Sequence, residues 1–382
     1  MKWSNADTLE LKEYVSKVSL PRSIGTSGNT ESKKRIIKHC KKFVDKRNIL
    51  IDSFKYTDKA EKISLVFFST FIFIFSFLAI LGLYLWGQLL IIGSASMLAF
   101  ILLFFNYWIE IFDLIGKFGK IKCNSIIVKM GEPSSKNKLM ISAHRDSLSS
   151  NPAGVRYFDW FKILFFKAPV TICIIALIYA FLQTSVPTVN FLLAVLFSAS
   201  SLSLIFFAAI TSFGNESPGA YDNGTGVAVL MKIVEQYSRK KIPLQLWVAF
   251  LDCEEAGYAG ASSLAKKLDK DIHVLNLDGI GSGELELAVA DGPFRSPTNK
   301  AMNKKISAIC KKLKLEIVPT WSYLYPGSDH VPFVKKGFNA TMITSSSFNI
   351  HSKEDTIDKV EFGQMHDVLN VIDLLIKDYA LR

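Results

Sequence analysis

The chain has 382 residues, 49% of them hydrophobic, with Lys+Arg 45 against Asp+Glu 34 and a formal net charge of +11. That apolar content with no short period excludes a disordered, collagen-like or coiled-coil protein. Five cysteines (Cys40, Cys123, Cys173, Cys253, Cys310), one of them inside an apolar stretch, cannot build a disulfide framework or a CxxC metal cage.

Residues 1–62 are polar and basic. They read as a short amphipathic helix over 8–18, a Gly/Ser/Pro loop over 21–29 and a second helix from about 31 to 46, with Ile36, Ile37, Cys40 and Phe43 on one face. No apolar h-region follows the first charges, so no signal peptide is expected. Residues 63–109 then run without a single Asp, Glu, Lys or Arg, and so do 168–215. Each stretch is long enough for two helices of about 20 residues, which a hydrocarbon core of roughly 30 Å requires. Breaks at 82–88 and 183–190 divide them into two hairpins, so four transmembrane helices are predicted.

The remaining sequence reads as strands over 125–129, 138–143, 244–251, 273–277 and 340–344, alternating with helices at about 227–238, 260–268, 299–312 and 362–379. That alternation predicts an α/β domain whose largely parallel or mixed sheet is covered on both faces. Two hairpins make an even number of crossings, which leaves 1–62, 110–167 and 216–382 on one side. This side holds every Lys and Arg, so the positive-inside bias predicts a multi-pass membrane protein with its soluble segments in the cytosol.

Three apolar strands end in chemically capable groups: His144 and Asp146 after 139–143, Glu254 and Glu255 after 246–251, and Asp278 after 274–277. Ligands of open α/β sheets sit beyond the carboxyl ends of the strands, and a His, a Glu-Glu pair and an Asp delivered there suit a metal. Asp222 lies in a glycine-rich turn opening a helix, and His351 in a polar loop after the 340–344 strand. Taken singly, a strand-end acid is more often a cap or a surface charge. Adjacent Glu254 and Glu255 differ, because they repel unless cations or solvent relieve them. The turn at Asp222 lacks the lysine of a phosphate loop. His39 and His366 read as helix-face residues and His273 as structural.

In this order the motifs resemble metallopeptidase family twenty-eight, the dizinc aminopeptidases and their glutamate carboxypeptidase relatives. The motifs are Ala143-His144-Arg145-Asp146-Ser147, residues 218–226, 252–257 and 276–281, Ser328-Asp329-His330, and 351–356. Residues 20–26 are also similar to the start of the family's domain. The resemblance implies a three-layer zinc-peptidase domain around a mixed, mostly parallel sheet. That domain would comprise 1–62, 110–167 and 216–382, interrupted by transmembrane hairpins at 63–109 and 168–215. It implies two zinc ions per chain, with Asp222 bridging them, His144 and Asp278 completing one, and Glu255 and His351 the other. Glu254 matches the general base and Asp146 the carboxylate that orients His144. Tyr325, three residues before Ser328, sits where some members place a tyrosine that hydrogen-bonds the oxyanion. Cys253 stands where relatives usually carry glycine.

The implied activity is exopeptidase hydrolysis of peptides, foremost as an aminopeptidase. A non-catalytic receptor or scaffold, a single-zinc glutaminyl cyclase and a carboxypeptidase are the alternatives. The second hairpin fills the gap between His144 and Asp222, so an active site close to the bilayer surface is expected. The runs Lys33-Lys34-Arg35, Lys41-Lys42 and Lys46-Arg47 lie near where the chain first enters the membrane, which favours lipid headgroups or a solvated basic face over nucleic acid.

Overall fold

A computed structural model describes residues 5–116, 118–151, 162–182, 186–322, 327–346 and 349–381. The chain divides into two compact units, one made of Met1–Asp58, Asp113–Ser149 and Gly214–Arg382, the other of Lys59–Phe112 and Ser150–Phe213.

The first unit is built on a nine-stranded sheet. Its strands are β1 (Ile49–Tyr56), β2 (Ile121–Gly131), β3 (Lys138–His144), β4 (Gln245–Leu251), β5 (His273–Asp278), β6 (Leu285–Asp291), β7 (Ser296–Pro297), β8 (Val318–Ser322) and β9 (Asn339–Ser345). Their spatial order is β1-β2-β4-β3-β5-β9-β6-β8, with β7 on β6. β4, β3, β5 and β9 run parallel in the middle, while β1 on β2, β2 on β4 and β9 on β6 pair antiparallel.

The central strands are continuous apolar runs because both faces of the sheet are covered. Side chains alternate across a strand. Leu139 and Ile141 of β3 and Val248 and Phe250 of β4 therefore enter one core, shared with Leu11, Ile36, Val227, Met302 and Val368 from five helices. Met140, Ala249 and Leu251 face the other way, onto Ala261, Leu264 and Phe333 from helices Ala259–Ala265 and His330–Lys335. The result is three layers, helix on sheet on helix. Since the four central strands share one direction, the carboxyl ends at His144, Leu251, Asp278 and Ser345 fall on a single edge.

Two local expectations change. The second helix is Ser27–Cys40, beginning earlier than predicted because Thr26 caps it, its hydroxyl accepting from the Asn29 amide at 3.2 Å. β1, β6, β7 and β8 were not anticipated. β1 and β8 are sheet edges, β7 has two residues, and Glu286 and Asp291 leave β6 an apolar run of only four, so none carries the longer apolar run that marks a central strand.

The second unit holds four helices long and apolar enough to cross a membrane: Ala60–Tyr84, Gly87–Asn106, Ile163–Phe181 and Pro187–Ile210. Ala60–Tyr84 and Ile163–Phe181 each pack against both of the others. Backbones approach closely where residues are small; a Cβ on Gly93 would meet the Ala79 amide nitrogen at 2.5 Å. Two polar side chains that point inward are satisfied there. Asn190 donates to Leu83 O at 2.9 Å and accepts from the Tyr179 hydroxyl at 2.7 Å, and Lys62 donates to Thr211 O at 2.6 Å. The outward faces carry exposed Phe73, Phe77, Phe191 and Phe206, an apolar surface of the kind lipid covers.

Candidate metal centre

The carboxyl edge of the parallel strands gathers the groups that the sequence singled out. His144 ends β3, and its Nε2 lies 3.0 Å from Asp222 Oδ1 and 3.2 Å from Asp278 Oδ1. His351 Nε2 lies 3.3 Å from the other oxygen of Asp222 and 2.8 Å from Glu255 Oε2. Asp222 thus turns one oxygen to each of two imidazole–carboxylate pairs. Glu254 is buried beside them. Tyr325 lies outside the described residues.

Each loop is fixed by a neighbour. The Asp146 carboxylate accepts the Glu254 and Glu255 amides, both at 3.2 Å, tying the Glu-Glu turn to the end of β3. Its side chain is 3.6 Å from His144 Nδ1, whereas its main-chain carbonyl is nearer at 3.2 Å. The expected orienting carboxylate therefore clamps the Glu-Glu turn and meets the ring chiefly through its own backbone. Asp355 accepts the amides of Tyr221 at 2.7 Å and Asp222 at 3.1 Å, joining the His351 loop to the Asp222 turn. Asn223 donates to Leu277 O at 2.8 Å and accepts from the Gly279 amide at 3.2 Å, joining that turn to β5.

Fully buried Arg22 donates from Nε to Arg145 O and from Nη2 to Gly219 O, both at 2.8 Å, and from Nη1 to Pro218 O at 2.5 Å. Gly219 needs its φ of +58°, and a Cβ there would sit 2.5 Å from Asp222 O and 2.7 Å from Arg22. Cys253 has φ 62°, the left-handed backbone that favours glycine. Among the site's supporting residues, Arg22 and Asp355 lay within noticed motifs, but nothing in the sequence assigned them partners.

The electrostatics call for cations. Burial pushes the Glu254 carboxyl well above the usual range, and the nearby charges of Asp278, Glu255 and Asp329 add to it, opposed by His144. Burial likewise raises Glu255 and Asp329. Asp355 is pushed up to about 7, by burial first and then by Asp222. Asp222 goes the other way: burial alone would raise it, but contacts with His144 and His351 hold it low. Among the described residues, Glu255 Oε1 and both oxygens of Asp329 have no hydrogen-bond partner. Buried carboxylates in this excess over Arg22 and Arg145, with orphaned oxygens and two imidazoles among them, fit a zinc donor set of nitrogen and oxygen. His144, Asp222 and Glu255 offer ligand atoms within 4.8 Å of one another.

His330, of the Ser-Asp-His motif, has a different task. Its Nε2 lies 2.9 Å from Asp291 Oδ2, and Asp291 also accepts the Gly327 amide at 3.1 Å. It anchors this loop to the end of β6.

A three-layer domain with imidazoles and carboxylates at the carboxyl edge of its parallel strands is a zinc-peptidase type of fold. Solved structures agree. A zinc aminopeptidase from Bacillus subtilis superposes with a TM-score of 0.55 at 12% identity, over 97% of this chain and 94% of that one. A glutaminyl cyclase from an Acidobacteriales bacterium gives 0.55 at 14%, over 98% and 94%. At such identities the likeness is one of fold. Residues 196–376 match the model of Peptidase family M28. A probable leucine aminopeptidase of Arthroderma otae is 29% identical over 171 residues, 40% of this chain and 45% of that protein, so the match spans less than half of the relative's length. The family likeness thus lies in residues 196–376, a little under half of the chain.

Proposed function

We propose that the chain is a membrane-anchored, zinc-dependent aminopeptidase that holds two zinc ions. The observation that carries this reading is Asp222, whose two oxygens face separate pairs, His144 with Asp278 and His351 with Glu255, while buried Glu254 stands alongside. In this reading His144 and Asp278 would hold one ion and His351 and Glu255 the other, with Asp222 between the two pairs. Zinc held there would supply polarisation of the scissile carbonyl and a lowered pKa for the attacking water. Glu254 accepts the proton of that water at its carboxylate and delivers it to the leaving nitrogen as general base and then acid. Asp146 keeps Glu254 in place through the backbone amide, and Tyr325 is assigned the oxyanion contact by its position before Ser328.

Fluorogenic aminoacyl substrates, assayed with and without chelator, test the reading together with a zinc count on the purified chain. Hydrolysis that is lost on chelation and returns with zinc, at two ions per chain, is the expected result; a metal-replete chain that cleaves none of them would sink it. Glutaminyl cyclase is the second reading, supported by a fold match as good as that to the aminopeptidase. One zinc per chain with cyclisation of an N-terminal glutamine would favour it.

The four apolar helices anchor the chain as a multi-pass protein, with the peptidase unit in the cytosol by the charge bias. Protease added outside sealed, cytosol-side-out vesicles should digest residues 216–382. Protection of that segment would reverse the assigned side.

A further inference from the structure

A cleft lies away from the metal centre. It has a volume of about 960 Å³ and opens between the segment after helix Ser27–Cys40, the end of β2 and the loop leading into β4. β4 runs from this cleft toward Glu254, so its seven residues put the cleft roughly 20 Å from the catalytic edge.

One basic run lines it: Arg239-Lys240-Lys241 come from the loop before β4 and face Asp45 and Asn48 of the segment after helix Ser27–Cys40. Lys129 of β2 lies across Trp247, its Nζ 3.9 Å from the ring centroid. The lining's two acids are already engaged: Asp45 pairs with Arg47 at 3.4 Å, and Glu132 accepts from the Ser134 hydroxyl at 2.7 Å. Among the described residues, none of Arg239, Lys240, Lys241 and Lys129 has a carboxylate partner. A solvated basic face would be convex. This one is concave, with Phe43 and Ile242 also in its lining, and a concave basic site focuses its field on an anion.

We propose that this cleft binds a multivalent phosphate, either free or carried on a lipid headgroup. Arginine and lysine supply the charge-assisted donors that phosphate oxygens need, and the site is independent of the peptidase reading.

Amine-acylation footprinting of the full chain by mass spectrometry tests it. In detergent, inorganic tripolyphosphate should lower labelling of Lys129, Lys240 and Lys241 several-fold, leave exposed Lys300 and Lys312 unchanged, and lose its effect in high salt. Protection seen only in nanodiscs containing phosphatidic acid, against discs of neutral lipid, identifies the headgroup as the source and still supports the site. The triple variant Arg239→Gln, Lys240→Gln, Lys241→Gln should abolish protection of Lys129 while aminoacyl hydrolysis is unchanged. Absence of protection from both probes, or protection of Lys129 that survives the triple variant, overturns the proposal.

Discussion

Glu254→Gln is expected to lower kcat for aminoacyl hydrolysis by about 10³-fold, the scale of a lost general base. KM and zinc content should hardly move. Glutamine keeps the size of the side chain, and the Glu254 contact with Asp146 is made by the backbone amide, so the turn survives the change. The stability sign follows from the same environment. The folded carboxyl is raised by burial and by the charges of Asp278 and Glu255, so its ionised form opposes folding at neutral pH. After chelation the glutamine variant should melt no lower than the chelated wild type. A drop in kcat and kcat/KM together, with zinc retained, marks an interaction made in the transition state. An undiminished kcat would remove Glu254 from the mechanism, and a variant that loses zinc would make it a ligand instead.

The carboxyl edge of the sheet was more legible in the sequence than the framework behind it. His144, Glu254, Glu255 and Asp278 each end an apolar strand, and a buried parallel strand announces both its own extent and the location of its carboxyl end. Asp222 and His351 sit in loops without periodic pattern, and only the order of motifs marked them. The strands missed, β1, β6, β7 and β8, lie at sheet edges or carry only short apolar runs, which give little local signal. The supporting contacts were hidden for the same reason. Arg22 serves backbone carbonyls at 145, 218 and 219, and no local pattern encodes a guanidinium that stitches three segments together. The left-handed φ of Cys253 likewise became visible only in the backbone.

Beneath the Glu-Glu turn lies an ion pair whose loss should be the largest stability effect in the first unit. Arg145 and Asp252 are both fully buried, with Nη2 2.5 Å from Oδ2, and Asp252 also accepts from the Asn124 amide at 2.7 Å and Asn29 Nδ2 at 3.0 Å. Burial pushes the Asp252 carboxyl up and Arg145 pulls it back, so the pair sits near the balance of desolvation against attraction. Asp252→Ala leaves the guanidinium buried with only neutral acceptors, Asn124 O and the backbone and side-chain oxygens of Asn29. We expect a loss of about 3–5 kcal/mol, as for other broken buried pairs, or about 10 °C in Tm for a unit of this size. Replacing both partners, Arg145→Met with Asp252→Leu, should cost much less, because the desolvation penalty goes with the charges. Thermal unfolding of the detergent-solubilised chain followed through a double-mutant cycle measures the coupling. A single variant that melts with the wild type would mean that solvent reaches Arg145 and that Asn29 and Asn124 hold this end of β4 without it. Asp252 stands two residues before Glu254, so the same variant should also lower kcat, and the paired replacement should recover stability ahead of activity.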